Sequence, residues 1–388
     1  MMADYIPFLF GAEDCKMLKN FYSDSSIVRL SLPTQDRTLN NLPQGPGIWI
    51  DAGVDGLDKW QPGRKGAYAA YDTFISRFNG FDEVTNPRPD SSRVKGFVES
   101  VLDRCAALSP KPIWLSVPQL PMVSNASRNK INRLLAQHAA EWKRTRKYAG
   151  KLILPVIFTH PKQVNLKTQR KGQLARECYE LASAQGIWVA ESTLNDQQGS
   201  GPLEKRFQGL VQFHEELAEW LPSDAIKVAG PYWGMNLVLW ARGLVHHPAI
   251  GLGNAYQYRV PGPTPHQGKD RIAVPPLRRL AVASPKLKEW LKEALGRISR
   301  EEPAYLEFEE LSRYLNQIPL LPRPQVSKFY KKWFDSLTSV PLSSRALALY
   351  QDLSKAFVLG RSLPPLPREE KTARRPERVA QQLMLNCL

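Results

Sequence analysis

Short apolar runs, each closing on a polar or glycine-containing turn, alternate with helical patterns along most of this chain. Ile48-Trp49-Ile50 runs into Asp51-Ala52-Gly53, and Pro112–Leu115 into Ser116–Gln119. Leu152–Phe158 runs into Thr159-His160, and Ile187–Ala190 into Glu191-Ser192-Thr193. Ile226–Ala229 closes on Gly230-Pro231-Tyr232, and Ile250–Leu252 on Gly253-Asn254. Tyr5–Phe10 and Ile27–Leu32 read as two earlier strands, and Arg278–Ala283 as a last one. Buried strands alternating with helices imply parallel βαβ units. Eight or nine of them suit an α/β fold of the closed (β/α)8 barrel type. An open doubly wound sheet is the alternative, because periodicity alone does not separate the two.

Between the strands, apolar residues recur at helical spacing. Val94, Phe97, Val98, Val101, Leu102 and Cys105 predict a helix near 93–107. Ile131, Leu134, Leu135, Ala139 and Trp142 predict another behind Ser127, with its lysines and arginines outward. Tyr68, Tyr71, Phe74, Ile75 and Phe78 form a further stripe, read as core. Helices are also expected over 171–185, 207–221 and 235–244, and Gln197–Pro202 is a loop suited to a lid. Ser284-Pro285 reads as an N-cap followed by proline at the first helical position. Further helices are expected near 307–316, 326–337 and 343–359. The division expected is a barrel over 1–284, a helical region over 285–362, and a proline-rich linker with a charged tail over 363–388.

Composition narrows the class. The 388 residues are 43% hydrophobic and 23% charged, which excludes global disorder. No apolar run approaches the roughly 20 residues that span a membrane. Four scattered cysteines without a CxxC pair argue for a reduced, cytoplasmic protein without a cysteine-rich zinc site. The net charge is +16, and residues 128–176 hold thirteen Lys/Arg against a single acid, Glu141. Such a block is the footprint of a partner rich in phosphate. Lys143, Arg144, Lys147, Lys162, Lys167, Arg170 and Lys171 are the expected contacts to nucleic acid.

In parallel α/β folds the working residues sit past the carboxyl ends of the strands. That rule nominates a rim carrying Asp51, His160, Glu191 and Asn254. Asp51 and Glu191 are the expected catalytic carboxylates, able to divide acid and base roles if their surroundings differ. His160 and Asn254 are expected to orient a base, with Tyr232 or Trp233 stacking on it beside the Gly230 turn. His246-His247 is rejected as a metal pair, because neighbours on a helix point apart. Walker, GxGxxG, HExxH and GxSxG motifs are all absent from the sequence. No metal and no cofactor is expected.

At Trp49-Ile50-Asp51-Ala52-Gly53 the chain resembles the tRNA-guanine transglycosylase superfamily, which includes DNA-acting relatives that insert 7-deazaguanines. That family carries an Asp-Ser-Gly-Gly turn at the matching place, and Asp51-Ala52-Gly53-Val54 is a partial match. The stretch from Val228 to Leu244 is similar in rhythm to the family's glycine-containing strand end and helix. Ile250–Arg259 falls where the family carries its nucleophilic aspartate, and here that position reads Asn254. The family's cysteine/histidine zinc site is missing. The resemblance spans about residues 5–285 in order of elements. It implies action at the N-glycosidic bond of an extruded base, on DNA rather than tRNA, with Asp51 as an active-site carboxylate. The alternatives are a base-excising glycosylase, a non-catalytic DNA/RNA-binding subunit derived from such a barrel, and a small-molecule hydrolase. Besides nucleic acid, a protein partner is expected at the C-terminal helices. No membrane partner is expected.

Overall fold

The computed structural model describes residues 5–9, 14–31, 42, 46–54, 88–108, 113–122, 126–158, 170–191, 202–252, 270–317, 320–368 and 374–388. In the helices that begin at 126, 170 and 202, side chains are described from 128, 172 and 206 onward. Eight parallel strands close into a barrel in sequence order. They are β1 (Ile6–Leu9), β2 (Ile27–Ser31), β3 (Gly47–Asp51), β4 (Trp114–Ser116), β5 (Lys151–Phe158), β6 (Gly186–Glu191), β7 (Ile226–Ala229) and β8 (His247–Gly251). β8 pairs with β1 through Ile6–Ala249, Pro7–Ile250 and Phe8–Gly251, which closes the ring.

Alternation along each strand sorts side chains between two cores. Ile6, Phe8, Trp49, Ile153, Ile157, Trp188, Ala190, Val228 and Ala249 fill the barrel interior as one cluster. Their neighbours Leu9, Val28, Leu30, Ile50, Leu115, Leu154, Val156, Val189 and Ile250 belong to the cluster shared with the outer helices. Phe8, Trp49 and Trp188 meet edge to face at 5.3–5.5 Å, so three aromatic rings plug the interior. Both indoles are satisfied: Trp49 Nε1 donates to Ser116 Oγ at 3.0 Å and Trp188 Nε1 to the Gly230 carbonyl at 2.7 Å.

The crossover helices are α1 (Asp14–Phe21), α2 (Ser91–Ala106), α3 (Ala126–Thr145), α4 (Arg170–Ala182), α5 (Pro202–Trp220) and α6 (Met235–Ala241). The apolar stripe expected on α3 is buried at Ile131, Leu135, Ala139 and Trp142. The apolar stripe expected over 68–78 and the loop over 197–201 lie outside the described residues.

Beyond β8 the architecture departs from the expected division. Arg271–Val274 (β9) and Arg279–Val282 (β10) form a separate antiparallel hairpin around the 3-10 turn Pro275–Leu277, so the run near 278–283 is a strand but not a barrel strand. Ser284 caps α7 (Pro285–Leu295) through Leu287 N at 3.3 Å. The hairpin, α7 and α8 (Pro303–Leu315) build a small core of their own around Trp290, Leu291, Phe308 and Leu311.

The next helix, α9 (Pro322–Thr338), returns to the barrel. Phe334 stacks on Trp240 of α6 at 4.6 Å and meets Tyr5 edge to face at 4.9 Å. Tyr22, just past α1, donates to the Ser327 carbonyl at 3.0 Å, and Lys331 pairs with Asp24 at 3.3 Å. Wedged between α6 and α1, α9 takes the place of the eighth barrel helix, and the hairpin with α7 and α8 is an insertion before it. A boundary at 284/285 therefore does not separate barrel from appendage.

The tail is not a mobile extension either. After α10 (Leu342–Ser362), Leu363 and Leu366 enter the small core. α11 (Arg378–Met384) buries Val379, Ala380 and Leu383 in the main core, together with Cys387. Gly234, at φ +72°, holds a backbone conformation that other residues rarely adopt and lies against Leu383, whose Cδ1 would be 2.5 Å from a Cβ there. Backbone carbonyls of the tail accept from Trp290 (Pro364), Arg279 (Arg375) and Arg242 (Asn386). The proline and charge content of 363–378 misleads, because Leu363, Leu366, Val379, Ala380, Leu383 and Cys387, in and after it, are buried anchors.

Candidate functional site at the carboxyl end of the barrel

Asp51 ends β3, and Arg29 sits in the middle of β2. Both alternate with residues of the outer core, so both point into the barrel. They form a salt bridge with less than 5% of either side chain exposed. The Arg29 guanidinium also lies over the rings of Phe8, at 4.5 Å, and Trp188, at 4.6 Å. A guanidinium suits that place because it is planar, weakly hydrated and attracted to aromatic faces. The result is a fixed carboxylate at the carboxyl end of the barrel, above an aromatic plug and clamped by a buried cation. Arg29 was legible in the sequence as a charge between Val28 and Leu30, in a strand with no solvent face.

Glu191 lies at the same end of the barrel but on the other side of its wall. It follows Ala190, an interior residue, and shares the face of Val189. Fully buried, it pairs at 2.6 Å with Arg206 of α5. Its charge, after the larger effect of burial, raises the pKa of Tyr232. Asp51 and Glu191 therefore do not face one pocket, and the expected shared carboxylate site is corrected to one interior carboxylate and one wall-to-helix ion pair.

Tyr232 and Trp233 are core residues, not a stacking platform. Tyr232 donates to the Val189 carbonyl at 3.2 Å. Trp233 donates to the Arg278 carbonyl at 2.9 Å and stacks against Phe329, 6.0 Å away and 27° from parallel. Gly230 is required by its backbone: at φ +96° a Cβ would sit 2.8 Å from Tyr232 N. His160, Lys162, Lys167 and Asn254 lie outside the described residues. Arg170 and Lys171 open α4 at the carboxyl end of the barrel.

The basic block divides. α3 starts beyond the carboxyl end of β4 and runs back to the start of β5, about 30 Å for 20 residues. Lys143, Arg144 and Lys147 are thus at the amino end of the barrel, opposite Asp51, beside Lys151. Lys143 donates to Gln185, and burial followed by the Lys151 charge lowers its pKa. A helix antiparallel to its strands carries the two halves of a charge-rich segment to opposite faces, so the block is not one patch.

His246-His247 is not on a helix: His247 opens β8, with Trp114 6.3 Å from its ring. Among the described residues no group of three His, Cys, Asp or Glu could hold a metal ion, and no helix is long and apolar enough to cross a membrane.

His214 of α5 went unnoticed in the sequence. It is buried, and neither ring nitrogen has a hydrogen-bond partner among the described residues. Burial, then the nearby Lys227 charge, pushes its pKa down to about 3. The folded state therefore binds fewer protons than the unfolded state between about pH 6.5 and 3, and stability from this group is lost as pH falls through that window. At ~1.4 kcal/mol per pKa unit the loss amounts to several kcal/mol. Urea titrations at pH 7 and 4.5 should show His214→Phe losing less stability than wild type on acidification. Equal losses would remove His214 as the cause.

Comparison with protein-family models, curated proteins and solved structures found no match.

Proposed function

We propose that the barrel mouth receives a base of nucleic acid and that the protein acts at its N-glycosidic bond, by exchange or excision. The observation that carries this reading is the interior carboxylate of Asp51 at the carboxyl end of β3, fixed by Arg29 above Phe8, Trp49 and Trp188. An ionised carboxylate is an acceptor only, with about four lone-pair positions. It suits the N–H edge of a purine-like base, or a sugar carbon that turns positive as the base departs. A base inside a duplex does not reach an interior carboxylate, so the target is flipped or single-stranded. The sequence resemblance, the Asp51-Ala52-Gly53 turn and the cationic residues following β5 agree with a nucleic-acid substrate, DNA before tRNA.

A second reading has its own support. A carboxylate committed to a buried guanidinium is poorly placed as a nucleophile, and Asn254 stands at the position of the family's nucleophile. Both favour a base-binding subunit without chemistry. Incubating the protein with DNA and with tRNA, followed by mass spectrometry of the bases released or incorporated, separates the two. Released or exchanged base supports the enzyme. Retention of nucleic acid with unchanged bases supports the binder. Failure to bind either polymer at about 50 mM salt removes the whole reading.

The split basic block gives a sharper outcome. Replacing Lys162, Lys167, Arg170 and Lys171 with Ala should flatten the salt dependence of binding by about 0.9 log units per lost phosphate contact. The Lys143/Arg144/Lys147 triple Ala variant should leave that slope unchanged. Equal effects from both sets would mean that the polymer does not approach from the mouth.

A further inference from the structure

Away from the mouth, a cavity of about 510 Å³ opens between α8, α9 and the turn at Arg278. Its size falls within the range of small-molecule sites. Lys328 and Lys332 stand one turn apart on α9, both exposed, and neither has an ion-pair partner among the described residues. Like charges at that spacing repel, and an anion between them relieves the repulsion.

The floor is aromatic and rigid. Phe329 and Trp333 are 5.8 Å apart and 29° from parallel, with half-buried Tyr314 across the cavity on α8. Arg278 holds this floor from the side. It takes a left-handed backbone (φ 52°), grips Asp352 with two hydrogen bonds of 2.7 Å, and lies over both rings. Trp333 Nε1 reaches the same carboxylate at 3.1 Å. The α8 wall adds Glu307 and Glu310, acceptors of the kind that meet exocyclic amino groups of bases.

We infer that this cavity binds a nucleotide unit, with its phosphate between Lys328 and Lys332 and its base against the aromatic wall and the α8 carboxylates. The ligand is either a free nucleoside monophosphate or one residue of a single strand. The inference does not depend on chemistry at Asp51.

The full chain would be titrated with guanosine 5′-monophosphate, guanosine, inorganic phosphate, free phenylalanine and a short mixed-sequence single strand, followed by calorimetry and tryptophan fluorescence. The monophosphate should bind at least about tenfold tighter than guanosine or phosphate alone. The exposed pair Lys328→Gln/Lys332→Gln should weaken it at least about tenfold with an unchanged melting temperature. Asp51→Asn/Arg29→Gln should leave this affinity unaltered, which separates the cavity from the mouth. Tighter, salt-sensitive binding of the strand that is weakened by Lys328→Gln/Lys332→Gln identifies a polymer as the source. Strand binding that this variant leaves unchanged belongs to the mouth and identifies the free nucleotide as the ligand of the cavity. Phosphate or phenylalanine matching the monophosphate, an unaffected lysine variant, or no binding by monophosphate and strand alike overturns the assignment.

Discussion

Truncation after Ser362 should yield protein that is insoluble or melts far below the full chain. The cut removes Leu363, Leu366, Val379 and Leu383, all buried, at roughly 1.5–3 kcal/mol each. That sum is comparable to the ~5–15 kcal/mol that keeps a whole domain folded. It also takes away three backbone acceptors and uncovers Gly234 beneath Leu383. A gentler variant, Leu383→Ala, should cost about 2–5 kcal/mol. Thermal melts and urea titration of the two proteins provide the check. A truncated chain that melts with the full-length protein would show that the tail decorates the barrel and does not hold it.

The second large effect concerns Arg29 and Asp51. Removing one partner of a buried ion pair leaves an uncompensated charge, at about 3–5 kcal/mol. Asp51→Asn and Arg29→Gln should therefore each be strongly destabilising. The double variant should recover much of the loss, because neither charge remains. This matters for function as much as for stability. An inactive Asp51→Asn protein alone does not distinguish a missing functional group from a damaged fold, whereas a stable but inactive double variant does. Folding free energies of the four proteins give the coupling directly. Additive losses would show that the two groups are not coupled, and base processing by the stable double variant would remove Asp51 from the chemistry.

Sequence and structure agree most closely where packing is repetitive. The eight barrel strands and most crossover helices could be read from apolar runs and 3.6-residue spacing, because each strand is buried on both faces and each helix along one. Side-chain direction was less legible. Ile187–Ala190 is apolar on both faces, so nothing in the letters says that Glu191 turns outward to Arg206 while Asp51 turns inward. Tyr232 and Trp233 resembled a stacking pair because what covers them, α9, is encoded nearly a hundred residues later. The tail misled through composition: prolines and charges outnumber its anchors. Arg29 is the instructive omission, since a charge in a strand with no solvent face requires a partner and thereby points to one.

The placement of α9 also bears on how the chain is made. Roughly seventy residues separate the end of β8 at Gly251 from Pro322, where the helix that covers the β8–β1 seam begins. At about 5–20 residues per second, a ribosome needs several seconds to cross that interval. Throughout it, a nascent barrel with all eight strands emerged still presents Tyr5, Trp240 and the Gly230–Gly234 turn without their cover. The interval is a window for chaperone capture or for misassembly between neighbouring nascent chains. Slowing synthesis between residues 252 and 321 should therefore lower the soluble yield more than slowing it anywhere upstream.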